Sequence, residues 1–129
     1  MALAVGLSDD REAHLHLPVL LPESVVTEAE LQAAVLDLAK LRGWLRYHTY
    51  DSRRSEPGWP DLFLLHPRTG QIVVAELKAA NGRVSRAQRQ WIDGFAVAGI
   101  TVHVWRPEHL RGGQIAAALT PSDMRQGAA

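Results

Sequence analysis

Three polar side chains lie at the ends of two apolar segments that resemble neighbouring strands. Asp61 precedes the first apolar run, and Glu76 and Lys78 lie near the end of the second. The turn residues between the runs predict a β-hairpin. An antiparallel register centred between Arg68 and Thr69 places Asp61 opposite Glu76, with Cβ atoms about 5 Å apart. Lys78, two residues beyond Glu76, then points to the same face of the sheet.

This arrangement predicts a site rich in oxygen ligands. The chain has no cysteine, which excludes thiol catalysis, disulfides and zinc ribbons. Two carboxylates at the rim of a sheet suit a hard divalent cation such as Mg²⁺ or Mn²⁺. A lysine beside that cation can orient an attacking water or help to deprotonate it. The alternative is a cross-strand ion pair in which Asp61 caps the end of a loop, and the spacing by itself leaves both interpretations open.

Helices and strands alternate around these residues in an order typical of a layered domain. A capping box and an apolar stripe of helical period predict a first helix, and a second apolar stripe ends at a glycine. The predicted helices are 27–42, 85–98 and 115–119, and the predicted strands are 44–50, 62–65, 72–77 and 100–105. The order α-β-β-β-α-β-(α) indicates an α/β fold, or α+β sandwich, with a central sheet covered on both faces.

The 129 residues are enough for one domain. Residues 1–26 are predicted to be a loosely ordered acidic arm, 27–119 the folded domain and 120–129 a disordered tail. No apolar run approaches the ~18 residues of a membrane span. The apolar amino terminus lacks the basic flank of a signal peptide. We therefore expect a cytoplasmic protein with no membrane partner.

The candidate site also matches a known motif. Gly58-Trp59-Pro60-Asp61, followed by Glu76-Leu77-Lys78, resembles the PD-(D/E)xK motif of nucleases. Segment 85–91 resembles the glutamine-bearing helix of the VRR-NUC branch, and 102–105 resembles the last core strand of that branch. The resemblance extends over about residues 27–106, and the combination of motif, helix and element order makes it specific.

The resemblance implies a restriction-endonuclease-like αβββαβ core with a mixed central sheet. It also implies a Mg²⁺- or Mn²⁺-dependent nuclease that acts on DNA. By motif position, Asp61 and Glu76 would hold the metal with the Leu77 backbone carbonyl, Lys78 would position or activate water, and Gln88 would support the site. Small stand-alone members, often viral, are similar to Holliday junction resolvases and are typically homodimers, which favours a bacterial or phage-infected cell.

The resemblance further implies an acidic residue on the first helix, and two residues compete for this role. Glu30 is the N3 residue of the predicted capping box, so Glu28 is the favoured catalytic candidate. The alternative for Glu28 is a favourable charge at a helix N-terminus. Gln88 has an alternative of the same kind, because Ser85 and Gln88 also form a capping-box pattern.

A formal net charge of zero gives no overall argument for a polyanionic partner. The first thirty residues, however, carry one base and six acids, and the remainder carries thirteen bases and eight acids. Basic residues flanking the motif suit a phosphate backbone. The candidate DNA contacts are Arg53, Arg54, Arg83, Arg86, Arg89 and His48. The alternatives are a solvated surface for the arginines and a packed strand histidine for His48.

The sequence therefore predicts a metal-dependent endonuclease that recognises the backbone and shape of branched DNA, such as a Holliday junction, with little base readout. Two alternatives stay open: an exonuclease or nickase with the same site, and an accessory module that binds DNA without cleaving it.

Overall fold

The computed structural model describes residues 25–50 and 54–128, with side chains up to residue 125. Helices α1 to α5 are Glu28–Leu41, Arg86–Val97, Pro107–Arg111, Gln114–Ala118 and Ser122–Ala128, and strands β1 to β4 are Leu45–His48, Leu62–Leu65, Ile72–Leu77 and Val102–Trp105. The predicted α-β-β-β-α-β order is confirmed. The predicted acidic arm lies outside the described residues except for Val25 and Val26. No described helix is long and apolar enough to cross a membrane.

The four strands form one mixed sheet in the order β1-β2-β3-β4. β2 pairs antiparallel with both β1 and β3, and β4 pairs with β3 in parallel. Leu62 pairs with Ala75 and Leu65 with Ile72, which confirms the predicted hairpin register. The same register continued by one residue sets Asp61 opposite Glu76.

Helix α1 covers one face of the sheet. Its capping box is formed: the Thr27 hydroxyl accepts from the Glu30 amide at 3.1 Å, and the Glu30 carboxylate accepts from the Thr27 amide at 2.9 Å. The buried stripe of the helix packs in one core with the inward side chains of β2 and β3. That stripe consists of Leu31, Ala34, Val35, Leu38 and Ala39. The amino terminus of α1 is thereby fixed relative to the sheet.

The other face is less covered than predicted. Val74 and Glu76 are buried there, but Leu65 and Ile72, nearer the hairpin turn, are 36% and 47% exposed. Helix α2 has no buried residue. The prediction of a sheet covered on both faces therefore holds at the Glu76 end and is wrong at the turn end.

The predicted disordered tail is also wrong for the described residues after 119. Pro121 is buried, and α5 follows it. The Ser122 amide donates to the Gln71 side chain at 2.8 Å. Arg68 in the hairpin turn forms an ion pair with Asp123, with an N–O distance of 2.5 Å. These contacts join the tail to the hairpin. The residues of the tail alone do not predict them, because their partners lie about fifty residues earlier in the chain.

A buried hydrogen bond fixes the chain just before this tail. The Trp44 indole donates to the Leu119 carbonyl at 2.9 Å, and both side chains lie in the core. Trp44→Phe leaves that carbonyl buried without its donor, so we expect a loss of about 1–3 kcal/mol in the free energy of unfolding.

Asp123→Ala removes the exposed Arg68–Asp123 pair and an exposed contact of the same carboxylate with the Met124 amide, so a much smaller change is expected. Urea unfolding of both variants measures the difference. A larger loss for Asp123→Ala than for Trp44→Phe would contradict this account.

Candidate active site

Asp61 and Glu76 face each other where β2 begins and β3 ends. An Asp61 carboxylate oxygen accepts a hydrogen bond from the Leu77 amide at 2.7 Å, which fixes its side chain against β3. Glu76 is only 1% exposed, and both of its carboxylate oxygens are buried without a hydrogen-bond partner. Burial of an unpaired charge is costly, so this arrangement requires a compensating proton or cation.

The pKa of Glu76 reflects this environment. Burial contributes most to raising the pKa, the neighbouring Asp61 carboxyl raises it further, and together they bring it to about 9. The Lys78 ammonium acts in the opposite direction, and Glu28 adds a smaller increase. All four charged side chains therefore interact electrostatically at one site.

Lys78 directly follows β3 and is partly buried. Its amide donates to the Trp105 carbonyl at 2.9 Å, which extends the contact between β3 and β4 past the end of the strand. A Cβ added at Gly82 would lie 3.4 Å from Lys78 Cδ, so the lysine stem rests against this glycine. The ammonium thus stays near the carboxyl pair.

The loop after Lys78 is held by Arg106, a residue that sequence reasoning missed. One Arg106 guanidinium nitrogen donates to the carbonyls of Ala79 at 3.0 Å, Ala80 at 3.4 Å and Gly82 at 2.7 Å. A single arginine after a strand belongs to no sequence pattern that would indicate this role. Its role follows only from the parallel pairing that places the end of β4 beside the end of β3.

Gly58 allows the loop before Asp61 to touch helix α2. Its φ is +86°, in the region that favours glycine. A Cβ there would lie 2.4 Å from the Ala87 backbone, closer than real contacts allow. A glycine at this position is therefore required for loop and helix to meet.

Aromatic side chains hold the same loop against α2. The Trp59 and Trp91 rings meet edge to face, with centroids 5.0 Å apart, and Phe95 lies beside both. The Trp91 indole donates to the Pro57 carbonyl at 3.0 Å. Asp61 is thus positioned from both sides, by α2 through this loop and by β3 through the Leu77 amide.

The sequence left open which glutamate of α1 belongs to the site and whether Gln88 supports the site or caps α2. Glu30 is engaged in the α1 capping box, whereas the charge of Glu28 acts on Glu76. Gln88 also takes part in a helix cap. Its side-chain oxygen accepts a hydrogen bond from the Ser85 backbone amide at 2.9 Å, and the Gln88 backbone amide donates to the Ser85 hydroxyl at 3.1 Å. The structure thus shows the capping alternative for Gln88, and its support of the site stays a prediction.

The predicted DNA contacts are only partly brought together. Arg53 lies outside the described residues. The others with positive charge are exposed and lie in the chain segments before Asp61 and after Lys78, namely Arg54, Arg83, Arg86 and Arg89. Arg89 also pairs with Asp93 on α2 at 3.8 Å. His48 is partly buried and lies in ring contact with Tyr50, with centroids 4.1 Å apart.

The donor set fits a hard divalent cation. The oxygens of Glu76 lack partners, those of Asp61 are adjacent, and no sulfur or imidazole intervenes. Among residues 25–50 and 54–128, no three His, Asp or Glu side chains lie close enough to form a cage. This is consistent with Mg²⁺, which binds through one or two carboxylates and completes its shell with water and phosphate.

The raised pKa of Glu76 predicts an unusual pH profile in the absence of metal. The folded protein keeps a proton up to about pH 9, whereas an unfolded chain releases it near 4.5. The contribution of Glu76 to the free energy of unfolding in EDTA should therefore be greatest below pH 4.5 and fall as the pH rises towards 9.

Glu76→Gln replaces the carboxyl with a neutral amide. We expect it to flatten this profile and to stabilise the metal-free protein at pH 8, as measured by urea unfolding at several pH values. The exposed Glu56→Gln serves as the control. An unchanged slope in Glu76→Gln would show that Glu76 is not the titrating group.

Comparison with known proteins identifies a domain family that matches most of this chain. The model of the VRR-NUC domain family matches residues 7–108. A solved structure described as a VRR_NUC domain superposes with a TM-score of 0.51 and 28% identity, covering 60% of this chain and 81% of that one.

Two curated proteins are also similar. The Fanconi-associated nuclease 1 homolog of Caenorhabditis elegans is 40% identical over 60 residues, and that of Caenorhabditis briggsae is 39% identical over 56. These matches cover 46% and 43% of this chain but only 7% and 6% of the relatives. The chain thus spans a small part of the curated relatives it matches. The family match over most of its residues, together with the shared fold, shows that the chain belongs to the VRR-NUC domain family of nucleases.

Proposed function

We propose that this protein is a divalent-metal-dependent DNA endonuclease that cleaves branched DNA such as Holliday junctions. The observation that carries the proposal is the pair formed by the buried Glu76 carboxyl and the partly buried Asp61 carboxyl, with Lys78 beside it. Membership of a nuclease-domain family and similarity to Fanconi-associated nuclease homologues support DNA as the substrate.

Asp61, Glu76 and the Leu77 carbonyl are the groups that would hold Mg²⁺ or Mn²⁺. When bound, the cation supplies positive charge for a phosphoryl oxygen and for the leaving oxygen. Glu76 must lose its proton to act as a ligand, and its raised pKa makes this loss costly without a cation. Occupancy of the site is therefore expected to increase as the pH rises towards 9.

The protein's own catalytic contribution is the positioning of water. Lys78 is restrained by the hydrogen bond that its backbone amide donates to the Trp105 carbonyl and by the closeness of its stem to Gly82. Its ammonium can donate a hydrogen bond to the attacking water and hold it in line with the scissile phosphate. Arg106 keeps the following loop in place, which limits how far Lys78 can move.

The substrate is held through its backbone. Arg54, Arg83, Arg86 and Arg89 are exposed and lie in the chain segments on either side of the motif. Arginines in such positions bind phosphates without regard to sequence. Because resolution of a junction needs two symmetric cuts, we propose that the enzyme acts as a homodimer, whose mass light scattering would measure.

A panel of labelled DNA tests the proposal. Four-way junctions, flaps, nicked duplexes and linear duplexes are incubated with Mg²⁺, Mn²⁺ or EDTA. The expected result is internal cuts near the branch, present with metal and absent in EDTA. Stepwise shortening from ends would indicate an exonuclease instead, and binding without cleavage of any substrate would indicate an accessory module.

Lys78→Ala is expected to lower the cleavage rate by ~100-fold or more, since a positioned proton-transfer group contributes about that much. Binding of the same DNA, measured by fluorescence anisotropy, should stay within a few-fold of wild type. Lys40→Ala, an exposed lysine in the last turn of α1, is the matched control. Wild-type cleavage by Lys78→Ala would refute the assignment.

Glu28→Gln and Glu30→Gln separate the two acidic residues of α1. Glutamine at position 30 preserves the capping box, so Glu30→Gln should retain wild-type stability and cleavage. Glu28→Gln removes a charge that acts on the carboxyl pair, and we expect cleavage to fall by roughly 10–100-fold without a change in melting temperature. Equal activity of the two variants would contradict a role for Glu28.

A further inference from the structure

Arg106 lies beside Lys78 where β3 and β4 end. The parallel register pairs Leu77 with Trp105, and the Lys78 amide donates to the Trp105 carbonyl at 2.9 Å, so the residues that follow each strand are neighbours. Trp105 packs in the core, and the Arg106 backbone is extended. Because side chains alternate along an extended chain, Arg106 starts on the opposite face of the sheet, the face that carries Glu76 and Lys78.

The Arg106 guanidinium holds the loop after Lys78 through a single nitrogen. Nη1 donates to the carbonyls of Ala79 at 3.0 Å, Ala80 at 3.4 Å and Gly82 at 2.7 Å. The loop is also closed on itself, since the Gly82 amide donates to the Ala79 carbonyl at 3.0 Å. Hydrogen bonds from a charged donor are stronger than those from a neutral one. Loss of the guanidinium is therefore expected to release this loop.

The same loop, residues 79–82, bounds the space open to the Lys78 side chain. A Cβ added at Gly82 would lie 3.4 Å from Lys78 Cδ, so the loop backbone approaches the lysine stem closely. A lysine stem has four carbons and is flexible unless its surroundings restrain it. The position of the ammonium thus depends on the position of the loop.

Helix α3 fixes the backbone from which the guanidinium extends. Arg106 directly precedes the helix, and its amide donates to His109 Nδ1 at 2.9 Å. Within residues 25–50 and 54–128, no carboxylate forms an ion pair with Arg106. Its polar contacts there are carbonyls of the loop, and no acidic side chain competes with them.

We propose that Arg106 is a positioning residue for cleavage, which holds residues 79–82 and thereby keeps the Lys78 ammonium where it can align the attacking water. Small displacements of a positioned group cause large losses of rate. The inference rests on the proposed function, and it adds a residue that acts through Lys78. A direct contact of Arg106 with a DNA phosphate would give different kinetics, which the experiment distinguishes.

Nuclear magnetic resonance of the lysines tests this restraint without any cleavage. The sequence contains two lysines, Lys40 and Lys78, so ¹³C-labelled lysine gives two Cε signals, which Lys40→Ala assigns. Wild type, Arg106→Ala, Arg106→Gln and Arg125→Ala are compared in EDTA. Arg125 is the matched control because it also donates to a backbone carbonyl, that of Ala117 at 2.9 Å, in the tail.

In wild type and Arg125→Ala, the Lys78 signal should relax as a restrained group, distinct from the exposed Lys40. In Arg106→Ala, it should move to the chemical shift and relaxation rate of Lys40, with Arg106→Gln between the two because a glutamine reaches fewer carbonyls. Thermal melting checks that each variant is folded, and Arg106→Gln decides the result if Arg106→Ala is not. An unchanged Lys78 signal in the folded variant would overturn the proposal.

Cleavage with Mg²⁺ supplies the second measurement. Arg106→Ala should lower kcat by ~10-fold or more and leave KM within a few-fold of wild type. In a Lys78→Ala background, it should cause no further loss, because both substitutions then remove the same contribution. A raised KM with an unchanged kcat would indicate a phosphate contact, and additive losses would indicate independent roles. Either result rejects positioning through Lys78.

The two measurements keep this inference separate from the proposed function. A Lys78 signal that responds to Arg106, with no cleavage of any DNA by wild type, supports the restraint and rejects the nuclease. Cleavage by wild type, with a Lys78 signal that does not respond to Arg106, rejects the restraint and leaves the nuclease in place.

Discussion

The burial of Glu76 opposite Asp61 is the constraint on which the rest of the structure depends. A carboxyl group that is 1% exposed and has no hydrogen-bond partner cannot carry its charge without help. The fold nevertheless places a second carboxyl beside it and fixes that carboxyl through the Leu77 amide. The unfavourable free energy of this pair is compensated by the core formed by α1 and the sheet. The proposed cation would supply the missing positive charge, whereas without it the pair lowers the stability of the fold.

The residues around the pair act mainly on the backbone. Arg106 binds three carbonyls after Lys78, Gly58 lets its loop meet α2, and Trp91 donates to the Pro57 carbonyl. Each of these contacts fixes a loop at its main chain. The carboxyl pair affects stability as well, because Asp61 accepts from the Leu77 amide and the burial of Glu76 opposes its ionisation.

Local patterns predicted much of this arrangement. Alternating apolar residues and the turn between them gave the β2–β3 register, and so set Asp61 opposite Glu76. The capping-box pattern separated Glu30 from Glu28, but it described Gln88 equally well, and there the cap is what the structure shows. Arg106 and helix α5 were missed because their partners lie roughly 25 and 50 residues earlier in the chain. Periodicity within a segment carries no information about such distant contacts.

The mixed pairing of the sheet has a consequence for the order in which the site is assembled. β1, β2 and β3 form by short-range antiparallel contacts, whereas β4 must return through α2 to pair in parallel with β3. Contacts distant in sequence form slowly during folding. The meander can therefore bring the two carboxyl groups together before Arg106 arrives with β4 to hold the loop after Lys78. In a chain whose meander alone has formed, the acidic pair would be present without an ordered Lys78 loop, so that loop would be the last part of the site to take its shape.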